Sequence, residues 1–248
     1  MEFTYDAYKN MIQLLRKHGY AFCDYWNYEE YDKSVIMRHD VDQDLEKALE
    51  FSDIERELGI SATYYVLMTS NFYNVFSGKN REILKKICEN GHAIGLHFDE
   101  TQYRKTNKDW WKEAIDNEIT LLEQCVGREV TSVSMHRISK ETLAADWKIR
   151  DGKVINSYAK EFIEKHKYIS DSRRSWKEDV IELIRREQYN RFHMLVHPFW
   201  YDPNEKSAKE VLRSFCREQI YHCYDELSRN TRDLSELLEK SELSFLGE

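Results

Sequence analysis

Proline and glycine are scarce in this 248-residue chain, at two and eight residues. Their scarcity excludes collagen-like and Pro/Gly-rich low-complexity chains and leaves few turn formers for a sandwich of many short strands. Long hydrophobic runs are missing as well. The run Tyr64 to Met68 stops at five residues, far short of the roughly 18 that a transmembrane helix needs, so no membrane span is expected. The N-terminal stretch MEFTYDAYKN carries acidic residues and lacks a basic segment followed by an apolar one, so no signal peptide is read and a cytoplasmic location is expected. The cysteines (Cys23, Cys88, Cys125, Cys216, Cys223) are odd in number and never spaced C-x-x-C, unlike a disulfide framework or a zinc ribbon. Basic charge is not in excess. With 37 basic and 45 acidic side chains the net charge is −8, which offers no footprint for a polyanion, so nucleic acid is not an expected partner. Dinucleotide, P-loop, nucleophile-elbow and zincin motifs are all absent.

What is present alternates. An amphipathic helix over about 5–17, apolar at Tyr8, Met11, Ile12 and Leu15, precedes a series of short apolar runs separated by segments of helical period. The runs are Val35–Met37, Ala62–Met68, Ala93–Leu96, Val130–Met135, Tyr168–Ile169 and Phe192–Val196. Helices are predicted at about Asp44–Leu58, Asn80–Glu89, Asp109–Cys125, Trp176–Glu187 and, as a long polar one, 206–240; Gly59 should end the first of these. The reading is α/β, a single domain over 1–248 built as a (β/α) barrel, with the first and last helices as extensions. The oligomeric state is not legible.

Chemistry gathers where the apolar runs end. Val35–Met37 leads into Arg38-His39-Asp40-Val41-Asp42, Ile94–Leu96 into His97-Phe98-Asp99, Ser134–Met135 into His136-Arg137, Tyr168–Ile169 into Ser170-Asp171, and Leu195–Val196 into His197-Pro198. In a parallel barrel all strands point one way, so these ends converge on one face, where such enzymes place their chemistry. Asp40 and Asp42, two apart on an extended backbone, leave on the same side. By themselves they could be solvated turn carboxylates; with His97 and His136 they make a divalent transition-metal site, because imidazoles and a carboxylate suit zinc and its neighbours. His39 alternates away and packs behind the site. His92 and His193 read as structural, and His18, His166 and His222 as surface. Trp176 and Phe199-Trp200-Tyr201 fit either a sugar-stacking wall or rim packing, while Trp110-Trp111 should pack on the barrel exterior. Arg173-Arg174 reads as a solvated basic turn, with anion holding as the alternative.

From Val35 to Pro198 these segments resemble the polysaccharide deacetylase (NodB-homology) family. The resemblance implies a distorted barrel of seven or so βα units and a metal-dependent hydrolase that removes acetyl groups from sugars. It makes Asp40 the catalytic base and Asp42 and His97 metal ligands. The histidine expected four residues after His97 is Thr101 here. The third ligand is therefore assigned to His136, with Asp99 or a water as alternatives. By the same resemblance Arg137 lines the groove, Asp171 supports His197 as general acid, and Trp176 lines the pocket; Trp200 joins them as a substrate contact from the aromatic reading. The expected cofactor is one divalent transition metal ion, zinc, and the expected substrate an acetamido sugar or glycan precursor. Cleavage of another C–N amide bond (deformylase or cyclic amidase), and a degenerate barrel that binds a glycan without turnover, are the alternatives.

Overall fold

A computed structural model describes residues 1–243. It divides into two compact units, Met1–Tyr201 and a second from Asp202 onward. The first opens with α1 (Tyr5–Lys17), β1 (Ala21–Cys23), β2 (Ser34–Val41) and α2 (Leu45–Leu58). It continues through β3 (Thr63–Leu67), α3 (Gly78–Glu89), β4 (Ala93–Phe98), α4 (Trp110–Val126), β5 (Ser132–Met135), α5 (Lys140–Ala145) and β6 (Ile155–Asn156). It closes with α6 (Lys160–Lys165), β7 (Lys167–Ser170), α7 (Val180–Arg186) and β8 (Arg191–Val196). The second unit contains α8 (Ala208–Asn230) and α9 (Leu234–Leu237).

The eight strands form one sheet in the order β6-β5-β4-β3-β2-β8-β7, with β1 beside the first half of β2, and every pairing is parallel. No pairing joins β6 to β7 among the described residues, so the (β/α) barrel is distorted and open there. Period-two alternation sorts the strands into two faces. Val35, Met37, Val41, Val66, Leu96, Val133, Met194 and Val196 belong to the large core that includes the helices' apolar residues. The opposite face carries a small apolar cluster, Ile36 and Tyr65 with Phe162 of α6 among its members, and, beside Leu67 and Leu195, a set of buried polar residues: Arg38, Asp40, His97, Ser132, Ser134 and His193.

Several boundaries differ from expectation. Arg38 to Val41 and His97 lie inside strands rather than beyond them, because polar side chains facing the barrel interior interrupt an apolar run without ending the strand. The helix expected from Trp176 starts at Val180, capped by Asp179, whose carboxylate accepts from the Ile181 and Glu182 N–H groups. The long C-terminal helix stops at Asn230, and Asp233 takes a left-handed conformation before α9. The helix 44–58 forms as expected, with Asp44 as N-cap and left-handed Gly59 (φ 64°) at its end. His166, expected at the surface, is buried: Phe162 of α6 packs into the inner cluster, and the ring of His166 follows it to lie against Tyr28. Trp111 packs in the core and stacks on Trp147 at 4.6 Å.

Candidate metal centre

Three strands bring Asp42, His97 and His136 together: Asp42 lies one residue beyond β2, His97 near the end of β4, His136 one residue beyond β5. His97 Nε2 lies 3.1 Å from Asp42 Oδ1, His136 Nδ1 3.1 Å from the same oxygen, and the two nitrogens 3.0 Å apart. One donor atom from each residue thus faces a common point. Two observations fit a divalent cation there. Asp42 Oδ1 is buried and has no hydrogen-bond partner, although both nitrogens are within reach. His97 Nδ1 donates to the Ser134 carbonyl at 3.1 Å, so a metal ion displacing the other ring proton would meet the Nε2 lone pair on the side of Asp42. Two imidazoles and a carboxylate are also a donor set that zinc accepts. Burial alone would push the Asp42 carboxyl up, but His136 and His97 outweigh it and hold it well below the usual range.

His136, rather than Asp99, is the third donor that lies beside Asp42 and His97, and its backbone shows why. The His136 N–H donates to the Phe98 carbonyl at 2.9 Å, continuing the β4–β5 ladder one residue past the strand, so that period two puts its ring on the face of Ser132 and Ser134. Asp99, the alternative, is otherwise engaged. Its carboxylate accepts from Thr101 N–H (3.1 Å), Thr101 Oγ1 (2.8 Å), Gln102 and Arg137, and it caps a short turn. Arg137, expected to line the groove, lies at the cleft with its guanidinium paired to Asp99.

Beside the triad sits Asp40, held by a residue that sequence reasoning missed. Arg38 is fully buried and donates to both Asp40 oxygens at 3.1 and 2.9 Å, to Ser134 Oγ at 2.6 Å and to Ser157 Oγ at 2.7 Å. Its guanidinium also lies over the Tyr65 and Tyr158 rings. The signal was available: Arg38 stands two residues before Asp40 and so shares its strand face. Burial would raise the Asp40 carboxyl, but Arg38, with His97 and His197, overrides it and keeps the group ionised.

His197, just past β8, meets buried Asp171, just past β7. Its Nδ1 donates to Asp171 Oδ1 at 2.6 Å, and its backbone N–H lies 3.1 Å from both carboxylate oxygens. Burial works against the imidazolium, yet Asp171 prevails and raises the group to about 9. A cleft of about 180 Å³ opens over the triad, lined by Asp42, His136, Gln102, Arg137, Asn71 and Phe72 among others. Trp176 and Trp200 are half-buried, pack against the main core and do not line this cleft. His92 and His193 are structural as expected: His92 accepts from Ala62 N–H and reaches the Ser52 carbonyl, and His193 bonds Tyr25 Oη at 2.8 Å.

No family model matches the sequence, and no curated protein matches it. Solved structures do resemble the chain. A family 4 carbohydrate esterase from Bacillus anthracis shares 17% identity over 82% of each chain, with a TM-score of 0.44. The Bc1960 peptidoglycan N-acetylglucosamine deacetylase shares 18% over 84% of this chain and 89% of its own, at 0.45. BA3943, a CE4 family pseudoenzyme from Bacillus anthracis, shares 14% over 77% of this chain, at 0.46; the match spans 64% of the pseudoenzyme's length. One of the three is described as a pseudoenzyme. The function of the present chain is read from its own side chains.

Proposed function

We propose that the chain is a metal-dependent hydrolase that removes the N-acetyl group from an acetamido sugar or glycan precursor. The observation that carries this reading is the Asp42, His97, His136 donor set flanked by an ionised carboxylate, Asp40, and an imidazolium, His197. A divalent metal held by the three ligands would polarise the acetyl carbonyl and make a water acidic enough to attack it. Asp40 accepts the proton of that attacking water, and Arg38 keeps it ionised and aimed. As the C–N bond breaks, His197 gives its proton to the departing nitrogen, which would otherwise leave as an unfavourable anion; Asp171 holds the ring in orientation for that transfer. The products are acetate and a free amine. The cleft is smaller than the ~300–1,000 Å³ of drug-sized pockets, which suits an acetamido group and its own ring. Small N-acetylated sugars, sugar nucleotides and lipid-linked precursors are the substrates to test.

The test is to incubate zinc-loaded protein with a panel of N-acetylated, N-formylated and cyclic amide compounds and to measure acid and amine released. Equal amounts of acetate and amine, abolished by a chelator and by Asp40→Asn, support the reading. Formate or ring-opened product transfers the activity to another amide, and metal binding without any product makes the barrel a binder.

A further inference from the structure

Behind the site, on the helix-facing side of β2, lies a buried polar cluster that the mechanism does not use. Glu55, inside α2, is fully buried, and its carboxylate accepts from Tyr8 Oη and from Tyr64 Oη at 2.6 Å and lies 2.9 Å from His39 Nε2. The other ring nitrogen of His39 lies 3.0 Å from the Val196 carbonyl oxygen. A carbonyl oxygen only accepts, so the bond to Val196 is made by a hydrogen on His39 Nδ1. His92 nearby has a donor on one side and an acceptor on the other, and needs only one hydrogen.

The Val196 carbonyl and the His197 N–H belong to the same planar peptide unit. His39 grips that unit by its oxygen from the outer face of the barrel, and Asp171 grips it by its N–H at 3.1 Å. With both ends held by side chains, the plane of the peptide is set, and with it the direction in which His197 leaves the backbone. We infer that His39, anchored by Glu55, is a positioning residue for His197, fixing the peptide that aims the general acid into the site. The inference rests on the hydrolase reading for its catalytic consequence, while the positioning itself is measurable without turnover.

Replacing one partner of a buried charged pair would strand the other, whereas replacing both by apolar residues is often tolerated. The test variant is therefore His39→Leu/Glu55→Met. Its kcat should fall by about tenfold or more, with KM and zinc stoichiometry unchanged, and the NMR signal of the His197 Nδ1 proton shared with Asp171 should shift. Tyr64→Phe, which removes a bond to Glu55 but leaves the His39 grip, should change neither readout. An unaltered His197 signal in the double variant overturns the inference even if the protein proves to have no hydrolase activity; absence of acetate release by the unmodified chain overturns the hydrolase reading alone. Should the double variant fail to fold, ring-nitrogen NMR of the unmodified protein decides: a hydrogen on His39 Nδ1 supports the grip, and an unprotonated Nδ1 overturns it.

Discussion

Within one strand face, residues with different duties in the proposed reaction stand two positions apart: Arg38 would anchor, Asp40 serve as base and Asp42 ligate. Their roles separate on substitution. Asp42→Ala, His97→Ala and His136→Ala should each weaken zinc affinity by at least about tenfold, measured by calorimetric titration. Asp40→Asn should keep zinc and lose acetate release. It also leaves the Arg38 charge buried without its carboxylate, so it should lower stability by about 3–5 kcal/mol in denaturant titration. His197 sets the pH response. Its value of about 9 predicts that turnover declines as pH rises through that value, since the acid then lacks its proton. Asp171→Asn should move this alkaline limb to lower pH by on the order of one unit or more. The linked stability effect has the same direction. A histidine raised from its unfolded value of about 6.5 contributes stability that is fully present below that pH and is lost as pH climbs through about 9.

Strands and helices place these residues, and their legibility followed the strength of their local signals. The helix over 44–58 could be read to within a residue because Asp44 and Gly59 punctuate it. Hydropathy ends these strands too early, at Met37 and Leu96, since Arg38, Asp40 and His97 are polar residues turned into the barrel and resemble a strand end. β1 and β6, three and two residues long, and α5 and α6, six each, are too brief to show a period. Gly95 shows how tightly the polar interior is packed. A Cβ there would clash with the Tyr65 ring, which bonds Ser132 and lies under Arg38, and would come within 3.1 Å of the Ser132 carbonyl oxygen. Gly95→Ala should therefore destabilise the protein by about 1–3 kcal/mol. By displacing Tyr65 it should also lower kcat more than it raises KM, as steady-state kinetics with zinc in excess would show.

At the scale of the whole chain, parallel pairing carries the argument from scattered sequence positions to one site. His97 and His136 lie 39 residues apart, Asp171 and His197 another 26 apart, and they meet in pairs because all eight strands run the same way. That convergence was legible from strand ends carrying His and Asp. What was not legible is what depends on cross-strand neighbours: the grip of Ser134 and Ser157 on Arg38, the diversion of Asp99 to Arg137, and the buried Glu55 cluster, each of which joins segments with no sequence relation. The second unit, from Asp202 onward, contributes none of the assigned residues. The most direct test of the central claim is the zinc content of the purified, zinc-loaded chain by elemental analysis, beside that of Asp42→Ala and His136→Ala. One ion per chain, lost in both variants, is the predicted result; no bound zinc in the unmodified chain, or undiminished zinc in the variants, would contradict it.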